Sequence, residues 1–345
     1  MPLTAQILPP PIEQLINFIA SDAFVKAVIF PGVIFVSVFG LFTVWYERKL
    51  LARVMLRIGP LHVGKYAGLL QVVADTVKFL AKEYIVPETA RRRLFVLMPM
   101  LGVVINALLF AFLPFGPMWL IFPSDISILL FFVLVAISPL PLILAGWASG
   151  NKYSLIGIVR FAFQIFAYEI PLFLALTGVI VMARSFDIVK IVEAQASMPF
   201  IVPQIIGFLA FFITLVSEVE RIPFDMPTAE QELVEGWMVE FSSYGFLMLQ
   251  LANYLKLDAL VVLTALLYLG GWYGPAIPGI PDFILAPLWV LLKSLVILAA
   301  ILLLRGTYPR ITIKKILDLG WRVLIPMTLL NLLIVSVIMT IPQLL

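Results

Sequence analysis

Between Glu218 and Glu240 the chain carries Glu218, Glu220, Asp225, Glu230, Glu232, Glu235 and Glu240, seven of its twenty acidic residues within 23 positions. Carboxylates crowded into partly dry surroundings cannot all ionise cheaply. Some hold protons near neutral pH and respond to any nearby change of charge. That is proton loading and release. A solvated acidic loop that docks a basic partner surface has the same composition, and both readings stay open at this level. Two more ionisable groups stand inside apolar runs, Glu169 just before Pro171 and Lys293 eight residues into the run 285–304. A charge at that depth is costly and is a functional candidate by default, with a satisfied structural pair as the alternative. Glu169 or Glu218 is the expected partner of Lys293.

These groups need a scaffold, and the composition says which kind. With 63% hydrophobic and 12% charged residues in 345 positions, the chain lies outside the range of soluble domains. Continuous apolar runs near 26–46, 94–114, 125–147, 161–183, 200–217, 244–270, 285–304 and 323–341 predict an all-α, polytopic transmembrane protein with about eight spans, the fifth short and the sixth long or bent. A membrane barrel requires alternating segments of about ten residues, which these runs are not. The whole chain, 1–345, reads as one integral membrane domain. Residues 9–20 suggest a short surface helix, and the N-terminus lacks the features of a cleaved signal. No cysteine and a single histidine, His62, argue against an iron–sulfur cluster or a zinc site in this chain, so electron carriers fall to partner subunits. Eighteen of the 23 Lys and Arg flank the spans on one side, with Lys26, Arg184, Lys190 and Lys256 assigned to the other. The crowded side is expected to be cytoplasmic in a plasma-membrane protein. Its charge then follows from topology and calls for no nucleic acid.

Within the loops, residues 68–83 (GLLQVVADTVKFLAKE) place Gln71, Asp75, Lys78 and Lys82 on one helical face and Leu69, Val73, Val77 and Leu80 toward the other. Too short and polar to span, the segment is expected to lie in the membrane interface as a brace or as one wall of a cavity. The arginine-rich 45–60 stretch anchors the first span and offers partners for the acidic loop. Pro223 and Pro227 block helix through IPFDMP and force an irregular backbone, which near membrane depth must border protein or a water-filled cavity. An ion-coupled transporter and a proton-path subunit of a larger machine both fit. The acidic loop has no second copy, which disfavours a transporter built from inverted repeats.

The motifs ERK (47–49) with RIGP (57–60), the 68–83 segment, GWASGNKYSLIG with RFAFQIFAYEIP (146–171), the acidic loop 218–243 and RGTYPRITIKKILDLGWRVLIP (305–326) together resemble the H subunit of NADH-quinone oxidoreductase, respiratory complex I. The same family includes the equivalent subunits of ferredoxin-linked membrane-bound hydrogenases and sulfur-reducing complexes. The resemblance implies a subunit that joins the electron-transfer arm to the antiporter-like arm, with no redox centre of its own, beside peripheral redox subunits and small membrane subunits. It implies that Arg48, Arg53, Asp75, Lys78, Arg221 and Phe224 line a chamber for a quinone or other lipid-soluble carrier, or its mouth. It also implies that Glu169, Glu218, Asp225, Glu230, Glu232, Glu235, Glu240 and Lys293 serve the proton path. Thr228 stands where respiratory members commonly carry glutamate, and Glu235 where a small residue is common, which moves one carboxylate by seven positions. A role mainly as an assembly anchor is the reading of a different class.

Overall fold

A computed structural model describes residues 21–64 and 67–344, with side chains to Thr340. The expected surface helix at 9–20 lies outside the described residues. Among the described residues the helices that matter are α1 (Val33–Val54), α2 (Gln71–Ala81), α3 (Arg92–Phe112), α4 (Ser127–Ala148), α5 (Lys152–Ala183), α6 (Ile205–Glu218), α7 (Ser243–Tyr268), α8 (Asp282–Thr307) and α9 (Ile313–Thr340). Seven long apolar helices and the shorter α6 make the chain a polytopic all-α membrane protein. At 14 residues α6 reaches roughly 21 Å, less than the roughly 30 Å hydrocarbon layer, as expected for the fifth run.

The bundle is organised around α7. From Leu255 to Tyr268 every residue of this helix is buried, the pattern of a helix with neighbours on all sides. It packs against α1, α3 and α8, with α6 touching it more lightly. Any polar side chain on that stretch must find its partner inside the protein. Helix α5 begins at Lys152, earlier than the apolar run at 161 suggests, because Asn151 Oδ1 caps it by accepting the Tyr153 N–H at 2.8 Å. Its 32 residues span roughly 48 Å, so its first turns project past the apolar layer and Glu169 falls near its middle.

Helix α2 is shorter than the 68–83 segment, since residues 67–70 form a turn and Lys82 is extended. It buries Val72 while Leu69, Val73, Val77 and Leu80 remain exposed. This bare apolar face suits a helix lying on lipid, with α1 and α7 behind it.

Candidate functional site

The acidic loop is held by the projecting turns of α5 and the end of α4. Gly236 has φ +59, and a Cβ there would lie 1.8 Å from the Pro227 carbonyl oxygen. Trp237 is fully buried against Gly146 and Gly157, where added Cβ atoms would stand 3.0 Å from its Cβ and 2.8 Å from its backbone nitrogen. Ser154 Oγ donates to the carbonyls of Gly146 (2.8 Å) and Trp237 (3.2 Å), and Asn151 Nδ2 donates to Glu240 Oε1. The GWASGNKYSLIG motif is therefore a seat for the loop, its glycines leaving room and its Ser and Asn supplying donors.

Two cavities meet under this loop. The first, about 410 Å³, is polar and is lined by Glu47, Arg221, Asp225, Glu235, Arg305 and Arg310 among others. The second, about 280 Å³, lies between α1, α2 and α7 and is lined mainly by Gly40, Val44, Val72, Phe79 and Leu251, with Asp75 at its polar side. Arg48, Phe246, Gln250 and Tyr254 border both. One continuous wall thus carries an acidic, basic-studded chamber and an apolar one beneath the interfacial helix.

Ion pairs set the charge pattern. Glu47, buried on α1, receives Arg221 (3.3 Å) and Arg305, and Arg221 also stacks over the Tyr254 ring at 4.5 Å. Asp225 Oδ2 pairs with Arg310 at 2.8 Å while its Oδ1 is buried without a partner. Asp75 receives Arg48 and Gln71. Glu232 pairs with Arg160, and Glu230 and Glu235 are exposed at the polar cavity. Deeper in, Glu218 Oε1 accepts from Lys256 Nζ at 2.6 Å, both side chains buried. Glu169, half-buried on α5, lies within electrostatic range of both.

Burial raises three loop carboxyls. It pushes Glu220 up to about 7, against the Trp237 indole N–H that donates to it at 3.1 Å. It also raises Asp225, despite Arg310, and Glu235, where Glu230 adds repulsion. The sign for Glu220 is that of a raised acid. Between the ordinary carboxylate range and about 7 the folded loop holds a proton that the unfolded loop has lost, so loop stability falls as pH rises through this window. Protection of the 218–243 amides, taken relative to their intrinsic base-catalysed exchange rate, is expected to fall from pH 5 to pH 8, and E220Q is expected to flatten that fall. An unchanged pH profile in E220Q removes Glu220 as its source.

The structure brings Arg48, Asp75, Arg221, Asp225, Glu230 and Glu235 to the cavities. Glu240 and Glu232 instead fasten the loop to Asn151 and Arg160. Lys78 and Arg53 are exposed, and neither lines these two cavities. Phe224 is buried edge-to-face on Tyr168, with ring centroids 5.3 Å apart, as a packing residue. Two expectations are corrected. Lys293 does not pair with Glu169 or Glu218; its ammonium donates to the carbonyls of Leu269, Gly271 and Tyr273 at 2.6–2.8 Å, closing the end of α7. Lys256 is no flanking charge but the buried partner of Glu218, held at mid-helix by the packing around α7. The loop carboxylates find arginines in the 305–310 segment and α5, and Arg48 of the 45–60 stretch goes to Asp75. Sequence reasoning missed Glu47, Lys256, Asp258, Arg305 and Arg310. Its available signal was a Lys and an Asp two positions apart within the apolar run 244–270.

The sequence pattern of the NADH dehydrogenase family matches residues 25–336. The chain is 40% identical over 302 residues to a protein of Syntrophobacter fumaroxidans, the second H subunit of NADH-quinone oxidoreductase, covering 85% of this chain and 89% of that one. It is 40% identical over 299 residues to the H subunit of the Brevibacillus brevis enzyme, covering 87% and 88%. Against the H subunit from a Geobacillus species it is 36% identical over 331 residues, covering 94% and 98%.

Proposed function

The chain belongs to the H-subunit family of NADH-quinone oxidoreductase, and we propose that it joins the electron-transfer arm of such a complex to its proton-translocating membrane arm. The single observation that carries this reading is the meeting of a polar and an apolar cavity at Arg48, Gln250 and Tyr254. A lipid-soluble carrier such as a quinone enters from the bilayer beneath α2, its tail along Val72, Phe79 and Leu251 and its polar head toward Arg48 and Tyr254. The chain binds no other cofactor, and iron–sulfur clusters belong to the peripheral subunits. Basic loops face the cytoplasm in the cell membrane, where the peripheral arm docks.

Reduction at the junction changes the charge in the polar cavity. The loop carboxyls raised by burial, Glu220, Asp225 and Glu235, take up protons in response. Protons then move by way of Glu218 and Lys256 toward Glu169, whose half-buried position suits transfer to a neighbouring membrane subunit. Lys293 takes no part, being committed to three carbonyls. Coupling requires the acidic loop to change its arrangement with the charge in the cavity, since a row of carboxylates does not by itself transmit energy.

The test is a parallel assay on the intact complex purified through this subunit, given an electron donor and offered a quinone, protons or polysulfide. Quinone reduction blocked by a cavity-filling inhibitor is the expected result. Hydrogen or sulfide formation without quinone reduction overturns the carrier assignment. A second measurement addresses the loop: D225N is expected to slow quinone turnover on the order of tenfold, by removing the charge that orients Arg310. Unchanged turnover moves Asp225 to a purely structural part.

A further inference from the structure

Asp258 lies in the fully buried stretch of α7, and the route above does not use it. Its Oδ1 accepts from the Thr43 hydroxyl of α1 at 2.8 Å, and its Oδ2 is buried with no hydrogen-bond partner. One turn along α1, Glu47 repeats the pattern: Oε1 takes Arg221 and Arg305, and Oε2 is buried without a partner. Thr43 and Glu47 stand four residues apart and so share a helical face. On its open side Asp258 Oδ2 faces Gly40, where an added Cβ would lie 3.9 Å away.

The charges around Asp258 leave it uncompensated. Lys256, two residues away on the same helix, turns to Glu218 on α6. From α1 the Thr43 hydroxyl meets it, with Glu47 one turn further along that helix, and from α8 Arg305 is engaged with Glu47. Arg221 of the acidic loop acts on it through space but forms its ion pair with Glu47. An ionised carboxylate so placed, with one oxygen unpaired, costs several kcal/mol, and a bound proton removes that cost.

We propose that Asp258 is a second proton-holding group, exchanging with the polar cavity through the Thr43 hydroxyl and Glu47 on the side of α7 away from Glu218 and Lys256. In the exchange the Asp258 proton passes to the Thr43 oxygen as the Thr43 hydroxyl proton passes to Glu47 Oε2. Asp258 is left ionised, Thr43 unchanged and Glu47 neutral. Thr43 donates to Asp258 in the structure and Glu47 Oε2 has no partner, so both the Thr43 hydroxyl and the Glu47 side chain must turn toward each other before the transfer. Neutral Glu47 then loosens Arg221 and Arg305, which ties the occupancy of this branch to the shape of the acidic loop. The inference rests on the reading that the polar cavity passes protons inward.

The experiment is infrared difference spectroscopy on the intact complex during electrochemical reduction. A carboxylic-acid carbonyl band is expected that disappears in D258N, is displaced in T43V and persists in E218Q/K256Q. Its hydrogen–deuterium exchange is expected to slow on the order of a hundredfold in T43V, where packing is kept but the relay hydroxyl is gone. A D258N spectrum that retains every carboxylic-acid band overturns the proposal. Should D258N not assemble, a T43V complex with an unshifted spectrum and undiminished exchange overturns it equally. Full proton translocation by E218Q/K256Q defeats the Glu218 route instead and leaves the Asp258 band to be read on its own.

Discussion

The E218Q variant is expected to yield little assembled complex, and E218Q/K256Q is expected to restore assembly while proton translocation stays abolished. Glu218 and Lys256 form a buried pair at 2.6 Å, with α7 packed on all sides of the lysine. Removing one partner of such a pair leaves an uncompensated charge and costs about 3–5 kcal/mol, a large share of the stability of most folds. Removing both charges together leaves two neutral amides that can still hydrogen-bond, so the fold recovers. The proton site does not, because neither amide titrates. The measurement is the yield of intact complex by gel filtration, followed by proton uptake in sealed vesicles. Translocation at the unmodified rate in the double variant would falsify the route through Glu218, and full assembly of E218Q alone would contradict the ion pair.

A comparably large effect is expected from G236A, which leaves every charge in place. The residue has φ +59 and sits against the Pro227 carbonyl, where a Cβ would approach to 1.8 Å. Backbone must move, and Trp237 is drawn out of its seat between Gly146 and Gly157. The indole then no longer donates to Glu220, a residue of the polar cavity's lining. Quinone turnover is expected to fall at least about tenfold, with faster proteolysis inside 218–243. Normal turnover with unchanged proteolysis would show that the loop does not need this seat.

The length and apolarity of the runs placed the helices, and the two prolines of IPFDMP placed the irregular loop, because both signals are local. The short α6 was legible for the same reason. Pairing was not. Glu218 and Lys256 are 38 positions apart, Asp225 and Arg310 belong to segments joined by the fold alone, and Lys256 sat in an apolar run that can equally be read as ending beside it. Lys293 was misassigned because sequence shows carboxylates as partners for an ammonium but does not show three backbone carbonyls converging at the end of a helix. Glu47 lay at the edge of a basic motif and its arginines lie in the loop and α8, so its role emerges only when α1, α8 and the loop meet.

The clasp made by Lys293 has a further consequence for conduction. Oxygens from Leu269, Gly271 and Tyr273 converge at 2.6–2.8 Å on one point, the arrangement by which a channel strips water from a monovalent ion. Here that point is filled by an ammonium on a tether of the chain's own making. With the ammonium in place these three oxygens are closed to a sodium or potassium ion, and the end of α7 opposite the acidic loop carries a cation that belongs to the chain itself.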